Sequence, residues 1–97
     1  MILDAGIATV SSAGTAVQVL NTTSRVKFAQ FKALAANSGI TYLGVSDVSA
    51  SIGYELSAGN TVELNFGEQG GSILASSLYV DAASSGDKVS WLLILDG

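Results

Sequence analysis

The sequence contains no histidine, no cysteine and no proline, and only 12% of its residues are charged. Without histidine and cysteine, the commonest general base, the Ser-His and Cys-His nucleophile pairs and most zinc ligation are excluded. An enzyme would have to use the eight acidic residues, which are scattered and form no recognisable acid/base couple. The sequence therefore predicts a protein that is not an enzyme and that holds no metal or cofactor.

Targeting and membrane signals are also missing from the sequence. Residues 1–4 lack the basic start and the apolar stretch of about 7–15 residues that a secretory signal requires. The longest apolar run, residues 91–95, is far shorter than the ~20 residues of a membrane-spanning helix. The absence of cysteine rules out disulfides and fits assembly in a reducing cytoplasm. We expect neither export by that route nor contact with a membrane.

The charge balance and the small side chains indicate the kind of partner. Four basic residues stand against eight acidic ones, a net charge of −4, which gives no electrostatic footprint for nucleic acid. Ala, Gly and Ser fill 38 of the 97 positions, and the charged share is about half the usual ~25%. A surface so poor in charge is typical of a protein that a partner covers. The composition therefore predicts association with other proteins or with further copies of this chain.

Turn-prone clusters separate segments of strand length, which predicts one all-β domain over residues 1–97. Residues 61–66 alternate strictly, with Val62, Leu64 and Phe66 on one face. Further strands are expected over residues 2–10, 15–20, 40–45, 72–81 and 88–95. The expected fold class is a single antiparallel β-sandwich or jelly-roll-like domain.

Some of these segments carry more specific expectations. In residues 15–20, Val17 and Val19 should point inward, and residues 40–45 should be buried on both faces. Residues 88–95 are apolar on both faces, as expected for a central strand or an interface strand. In residues 72–81, Leu74, Leu78 and Val80 share one phase, which predicts one continuous strand.

Residues 25–36 fit two interpretations. Phe28, Phe31 and Ala35 suit helical spacing, and alanine has the highest helix propensity. A strand is favoured, with Val26 and Phe28 in one phase and Phe31 in the other. A β-bulge near residues 29–30 would reconcile these phases. If the segment were a helix, the sheet would lose one strand.

Candidate binding groups have ordinary structural explanations beside the functional ones. Asp81 and Asp87 flank residues 82–86 and could hold calcium, but the spacing is more typical of a polar hairpin connection. Trp91 and the three tyrosines could form a sugar-stacking platform, whereas the apolar neighbours of Trp91 favour the core or a subunit interface.

Basic and apolar residues supply a candidate interface. Arg25, Lys27 and Lys32 place three of the four positive charges within eight residues, which suits either an acidic neighbour or a solvated strand edge. The candidate interface residues are Arg25, Lys27, Lys32, Trp91, Leu92 and Ile94.

Three stretches of the sequence resemble a family of small β-domains from tailed-bacteriophage virions. They are residues 25–28 (RVKF), residues 37–44 (NSGITYLG) and residues 48–59 (VSASIGYELSAG). They follow the family's pattern of an Asn-x-Gly turn, an aliphatic-Tyr-aliphatic-Gly strand, a Ser/Thr-rich loop and a Leu-x-x-Gly turn. The family often has a proline at or before this last turn, where this sequence has none. Members are capsid decoration (cement) proteins or modules of head-fibre and minor structural proteins.

The resemblance implies a function, a location and partners. The chain would bind the outer surface of a capsid, assembled in the host cytoplasm, with the major capsid protein as its partner. It would also form a homo-oligomer, for which a trimer is expected because such proteins commonly occupy local three-fold positions. The alternative is a receptor- or carbohydrate-binding module of a fibre or tail, which an exposed pair such as Tyr54 with Tyr79 would support. A carboxylate-dependent enzyme would need two acids facing each other in a cleft.

Overall fold

The computed structural model describes residues 2–66 and 71–96, which form nine strands in two antiparallel sheets. The strands are β1 (Ile2–Thr9), β2 (Val17–Gln18), β3 (Arg25–Ala33), β4 (Thr41–Gly44), β5 (Tyr54–Leu56), β6 (Thr61–Asn65), β7 (Ile73–Leu74), β8 (Tyr79–Ala82) and β9 (Lys88–Leu95). A 3-10 turn over Ala75–Ser77 separates β7 from β8.

The two sheets pack face to face as a β-sandwich. The large sheet has the order β1-β9-β3-β6, with β7 beside the start of β3, and the small sheet has the order β2-β8-β4-β5. One apolar cluster between them takes Phe31 and Leu93 from the large sheet and Leu43 and Val80 from the small one. The expected all-β sandwich is confirmed.

The strand β9 occupies the centre of the large sheet. It pairs with β1 on one side and β3 on the other. Val89, Trp91, Leu93 and Leu95 are buried toward the core, while Leu92 and Ile94 are half-buried on the opposite face. Residues 88–95 were expected to form a central strand or an interface strand, and they form a central one.

The ambiguous segment is a strand, but its irregularity lies elsewhere than predicted. In the pairing of β3 with β9, Val26 lies opposite Leu95 and Phe28 lies opposite Ile94, so Lys27 is the extra residue. The location predicted for the bulge, near residues 29–30, is therefore wrong. Inserting one residue at Lys27 lets Val26, Ala29 and Phe31 all face the core, which a strictly alternating strand could not do.

The predicted single strand over residues 72–81 is wrong, because the chain changes sheets within it. The segment β7 pairs with β3 of the large sheet, and β8 pairs with β4 of the small sheet. Between them, Leu78 N–H donates to Ala75 C=O at 3.2 Å and Ser77 Oγ donates to Leu74 C=O at 2.6 Å. The turn leaves Leu74 exposed while Leu78 and Val80 enter the core.

The remaining strand expectations agree with the structure in most of their burial. Val19 is buried and Val17 half-buried, although β2 itself is only two residues long. Thr41, Tyr42 and Leu43 are all buried, as expected for a strand covered on both faces, but Val45 lies beyond the end of β4 and is 56% exposed, so the burial predicted for residues 40–45 is wrong at that end. Val62 and Leu64 of β6 pack against the core, and so does Phe66, which directly follows the strand.

The outer face of the small sheet is closed by the chain's own loops. Tyr42 and Asp81 are cross-strand neighbours on this face, and both are buried. Gly14 N–H donates to Asp81 Oδ1 at 3.0 Å, which fixes one loop over the sheet. A side chain at Gly53 would lie 2.7 Å from Val48 Cγ2, so the loop that follows β4 is closely packed as well.

Candidate functional site

The outer face of the large sheet carries a continuous group of apolar side chains. The register places Leu3 of β1, Ile94 of β9 and Phe28 of β3 in one cross-strand row. The next row begins with Ala5 and Leu92. Ile7 lies two residues further along β1, on the same face because side chains alternate along a strand. We call Leu3, Ala5, Ile7, Phe28, Leu92 and Ile94 together the apolar stripe.

The apolar stripe is open to solvent. Leu3 is 67% exposed and Ile7 58% exposed, whereas Phe28, Leu92 and Ile94 are half-buried by their neighbours in the sheet. A shallow depression of about 200 Å³ beside Leu92 is lined by Gln30, Lys32 and Ser90. Contiguous exposed apolar surface of this kind marks sites of contact with other macromolecules.

Polar and basic residues border the apolar stripe. Lys32 lies opposite Ser90, and Lys88 lies opposite Thr9, both at the end of the sheet beyond Leu92. Lys27 is the bulged residue next to Phe28 at the other end. An apolar centre with a polar rim is the usual anatomy of a protein–protein interface.

The structure divides the six candidate interface residues into three groups. Leu92, Ile94 and Lys32 lie on the outer face of the large sheet, and Lys27 lies beside it in the bulge. Arg25 is held at the side of β7, where its Nε donates to Ser72 Oγ at 2.8 Å and its Nη2 donates to Ser72 C=O at 3.2 Å.

Trp91 forms the third group, because it faces the core and not the outer face. It is 9% exposed and belongs to the apolar cluster between the sheets. A side chain at Gly6, its neighbour on β1, would lie 2.6 Å from Trp91 Cζ2, so the indole fills the space under that glycine. Trp91 therefore cannot contribute to a contact on the outer face.

Sequence reasoning did not single out Leu3, Ala5, Ile7 and Phe28 as parts of a site. A signal for the first three exists in residues 3–7, where apolar residues alternate with Asp4 and Gly6. Such alternation does not tell which of the two faces is the buried one. Phe28 was placed in the phase of Val26, and only the bulge at Lys27 turns it outward.

Asp81 and Asp87 fix loops and do not point toward a common ion. Asp81 Oδ1 accepts from Gly14 N–H at 3.0 Å and from Ala82 N–H at 2.8 Å. Asp87 Oδ1 accepts from Ser38 N–H and its Oδ2 from Gly39 N–H, both at 2.9 Å. Asp81 thus binds the loop at Gly14 and its own neighbour Ala82, whereas Asp87 binds the loop at Ser38 and Gly39.

Replacing Asp87 by alanine is expected to lower the free energy of unfolding by about 2 kcal/mol, because two backbone N–H groups lose a charged acceptor. Asp87→Asn should lie in between, since one oxygen becomes an amide group that faces an N–H donor. Urea unfolding measures both. The control is Asp47→Ala at an exposed position, expected to change stability by no more than ~0.5 kcal/mol. An Asp87→Ala protein as stable as this control would contradict the role assigned to Asp87.

An apolar cleft of about 330 Å³ opens between β6 of the large sheet and β4 and β5 of the small one. Val62, Leu64 and Leu43 line it, and Tyr54, 59% exposed, stands at its rim. Sugar sites need several converging hydrogen-bonding groups, and this lining offers the Tyr54 hydroxyl alone among its side chains.

The tyrosine pair suggested for carbohydrate binding is not assembled. Tyr54 lies opposite Leu43, whose side chain enters the core, whereas Tyr79 lies opposite Gly44, one residue further along β4. Because successive residues of a strand face opposite sides of the sheet, the two tyrosines project from opposite faces. They cannot form one stacking platform.

In the part of the chain that the structure describes, no helical segment is long and apolar enough to cross a membrane. Within residues 2–66 and 71–96, no group of three or more His, Cys, Asp or Glu side chains is placed to hold a metal ion.

No protein-family model matches the chain, and no curated protein matches its sequence. The function must therefore be inferred from the outer face of the large sheet and its apolar stripe.

Proposed function

We propose that this chain is a decoration protein of a tailed-phage capsid, which binds the outer surface of the shell through the apolar stripe. The observation that carries the proposal is the difference between the two outer faces of the sandwich. Loops bury Tyr42 and Asp81 on the small sheet, while Leu3 and Ile7 on the large sheet remain more than half exposed. The fold therefore leaves one broad face uncovered.

The residues of this face suit a contact that provides binding free energy and involves no chemical reaction. A standard interface buries about 800 Å² per partner, and if half of that area is apolar its burial contributes about 10 kcal/mol per partner in gross terms. Lys27, Lys32 and Lys88 would add roughly 0–1 kcal/mol each as exposed ion pairs with an acidic shell. Apolar burial should dominate the affinity, and the lysines should orient the docked protein.

The proposal predicts a weak dependence of capsid binding on salt. The purified protein is titrated onto undecorated capsids of the encoding phage at about 0.05 M and about 0.5 M sodium chloride, a range over which the Debye length falls from about 14 Å to about 4 Å. We expect the affinity to fall by less than tenfold, because apolar burial is not screened. A fall of a hundredfold or more, about 2.7 kcal/mol, would show that charge dominates. No binding at either salt concentration would overturn the proposed function itself.

A further inference from the structure

We infer that the open edge of β1 pairs with β1 of a second copy, joining two large sheets into one across a two-fold axis. The inference concerns self-association of the free protein and does not depend on what the apolar stripe binds. The strand β1 is an edge strand: among the described residues it pairs only with β9, over eight residue pairs from Ile2 to Thr9 without a register shift.

Backbone hydrogen-bonding groups are exposed along this edge. Val10 N–H donates to Asp87 C=O at 2.9 Å, so the even-numbered residues direct their peptide groups toward β9. Since neighbouring residues of an antiparallel strand bond to opposite sides, Leu3, Ala5 and Ile7 direct theirs to the open edge. In the described part of the chain, Ala5 N–H alone among these three donors has an acceptor, Asp4 Oδ1 at 2.9 Å.

The edge of β1 lacks most of the features that prevent strand pairing. Proteins protect edges with lysine, proline, bulges or short strands. The strand β1 has no lysine, no proline and no bulge, and its one charge is Asp4. The edge strands of the small sheet, β2 and β5, are only two and three residues long. At the far side of the large sheet, β6 carries Glu63.

The side chains of β1 favour a second copy as the occupant, and apolar pairing favours the register centred on Ala5. Centring the pair on Asp4 would set two carboxylates opposite each other, which is destabilising. Centring the pair on Ala5 sets Leu3 of each copy opposite Ile7 of the other, so this contact forms twice. It also sets Asp4 opposite Gly6 of the second copy, where Trp91 leaves no room for a side chain. The two Asp4 carboxylates are then diagonal neighbours about 7–8 Å apart and no longer directly opposite, which weakens their repulsion.

This pairing changes one hydrogen bond and extends the apolar stripe. Ala5 N–H exchanges Asp4 Oδ1 for the Ala5 carbonyl of the second copy, so Asp4 limits the strength of the dimer. A two-fold axis perpendicular to the sheet keeps both outer faces on the same side. The two apolar stripes then become coplanar and meet where Leu3 of one copy contacts Ile7 of the other.

Sedimentation equilibrium of the free protein tests the inference, with Ile7→Lys as the disrupting variant. Ile52→Lys is the matched control, because Ile52 is 56% exposed and Ile7 is 58% exposed. We expect a concentration-dependent dimer for the wild type, at least tenfold weaker dimerisation for Ile7→Lys, and no change for Ile52→Lys. A monomer at all concentrations, a trimer, or equal effects of the two variants would overturn the inference.

Hydrogen exchange of the wild-type protein gives a second test that needs no variant. The amides of Leu3, Ala5 and Ile7 should gain protection as the protein concentration rises, while that of Gly6 is protected throughout. Exchange of these three amides that is independent of concentration would overturn the inference. Both tests use the free protein, so their failure is distinguishable from a failure to bind capsids.

Discussion

Replacing Phe31 by alanine is expected to lower the free energy of unfolding by about 3–5 kcal/mol. Phe31 is completely buried, and its strand β3 pairs with β9 on one side and β6 on the other. Removing the ring therefore opens a cavity where both neighbouring strands are fixed and relaxation into the space is limited. A domain of this size has a total stability of roughly 5–15 kcal/mol, so the variant should be close to unfolding.

Phe28→Ala is the matched control, because it makes the same chemical change three residues away on the outer face. Phe28 is half-buried and outside the apolar cluster between the sheets. Removing its ring leaves no internal cavity. We therefore expect Phe28→Ala to lower the free energy of unfolding by less than half as much as Phe31→Ala. Guanidinium unfolding of the two variants measures the difference. Equal losses would contradict the placement of the two rings on opposite faces of β3.

Alternation allowed most strands and their inward faces to be predicted from the sequence. Val62, Leu64 and Phe66 share a face because side chains alternate along any strand, whatever its partners. In residues 88–95 the sequence also showed apolar residues on both faces. In the structure, Leu92 and Ile94 form the second apolar face and belong to the apolar stripe.

Features that depend on distant contacts could not be predicted. The bulge at Lys27 is set by the register of β3 against β9, and the break at Ala75–Ser77 by the need to change sheets. Asp87 binds Ser38 and Gly39, which lie nearly fifty residues earlier in the chain. No local pattern around Asp87 indicates that partner.

The candidate site could be predicted only in part, because its assembly also depends on contacts between distant parts of the chain. Leu92, Ile94 and Lys32 were identified from composition and spacing, but their position on one face follows from strand order. Leu3 and Ile7 join them only because β1 pairs with β9. Trp91 was included because its neighbours are apolar, yet its place under Gly6 depends on that same pairing.

Replacing Leu92 by lysine is expected to weaken capsid binding at least a hundredfold, about 2.7 kcal/mol. Leu92 lies near the centre of the apolar stripe, between Ala5 and Gln30. Truncation of residues at the centre of an interface often costs 2 kcal/mol or more, and an unpaired ammonium group held away from water adds to that loss. The fold should be retained, because residue 92 lies on the outer face of the large sheet in the free protein. Circular dichroism of the variant can verify that the fold is retained.

The measurement that most directly tests the docking face is the affinity of Leu92→Lys and Ile52→Lys for undecorated capsids, each relative to the wild type. Ile52 is exposed and belongs to the loop that packs over the outer face of the small sheet. We predict a loss of at least a hundredfold for Leu92→Lys and less than threefold for Ile52→Lys. Unchanged binding of Leu92→Lys, or a larger loss for Ile52→Lys, would contradict docking through the apolar stripe.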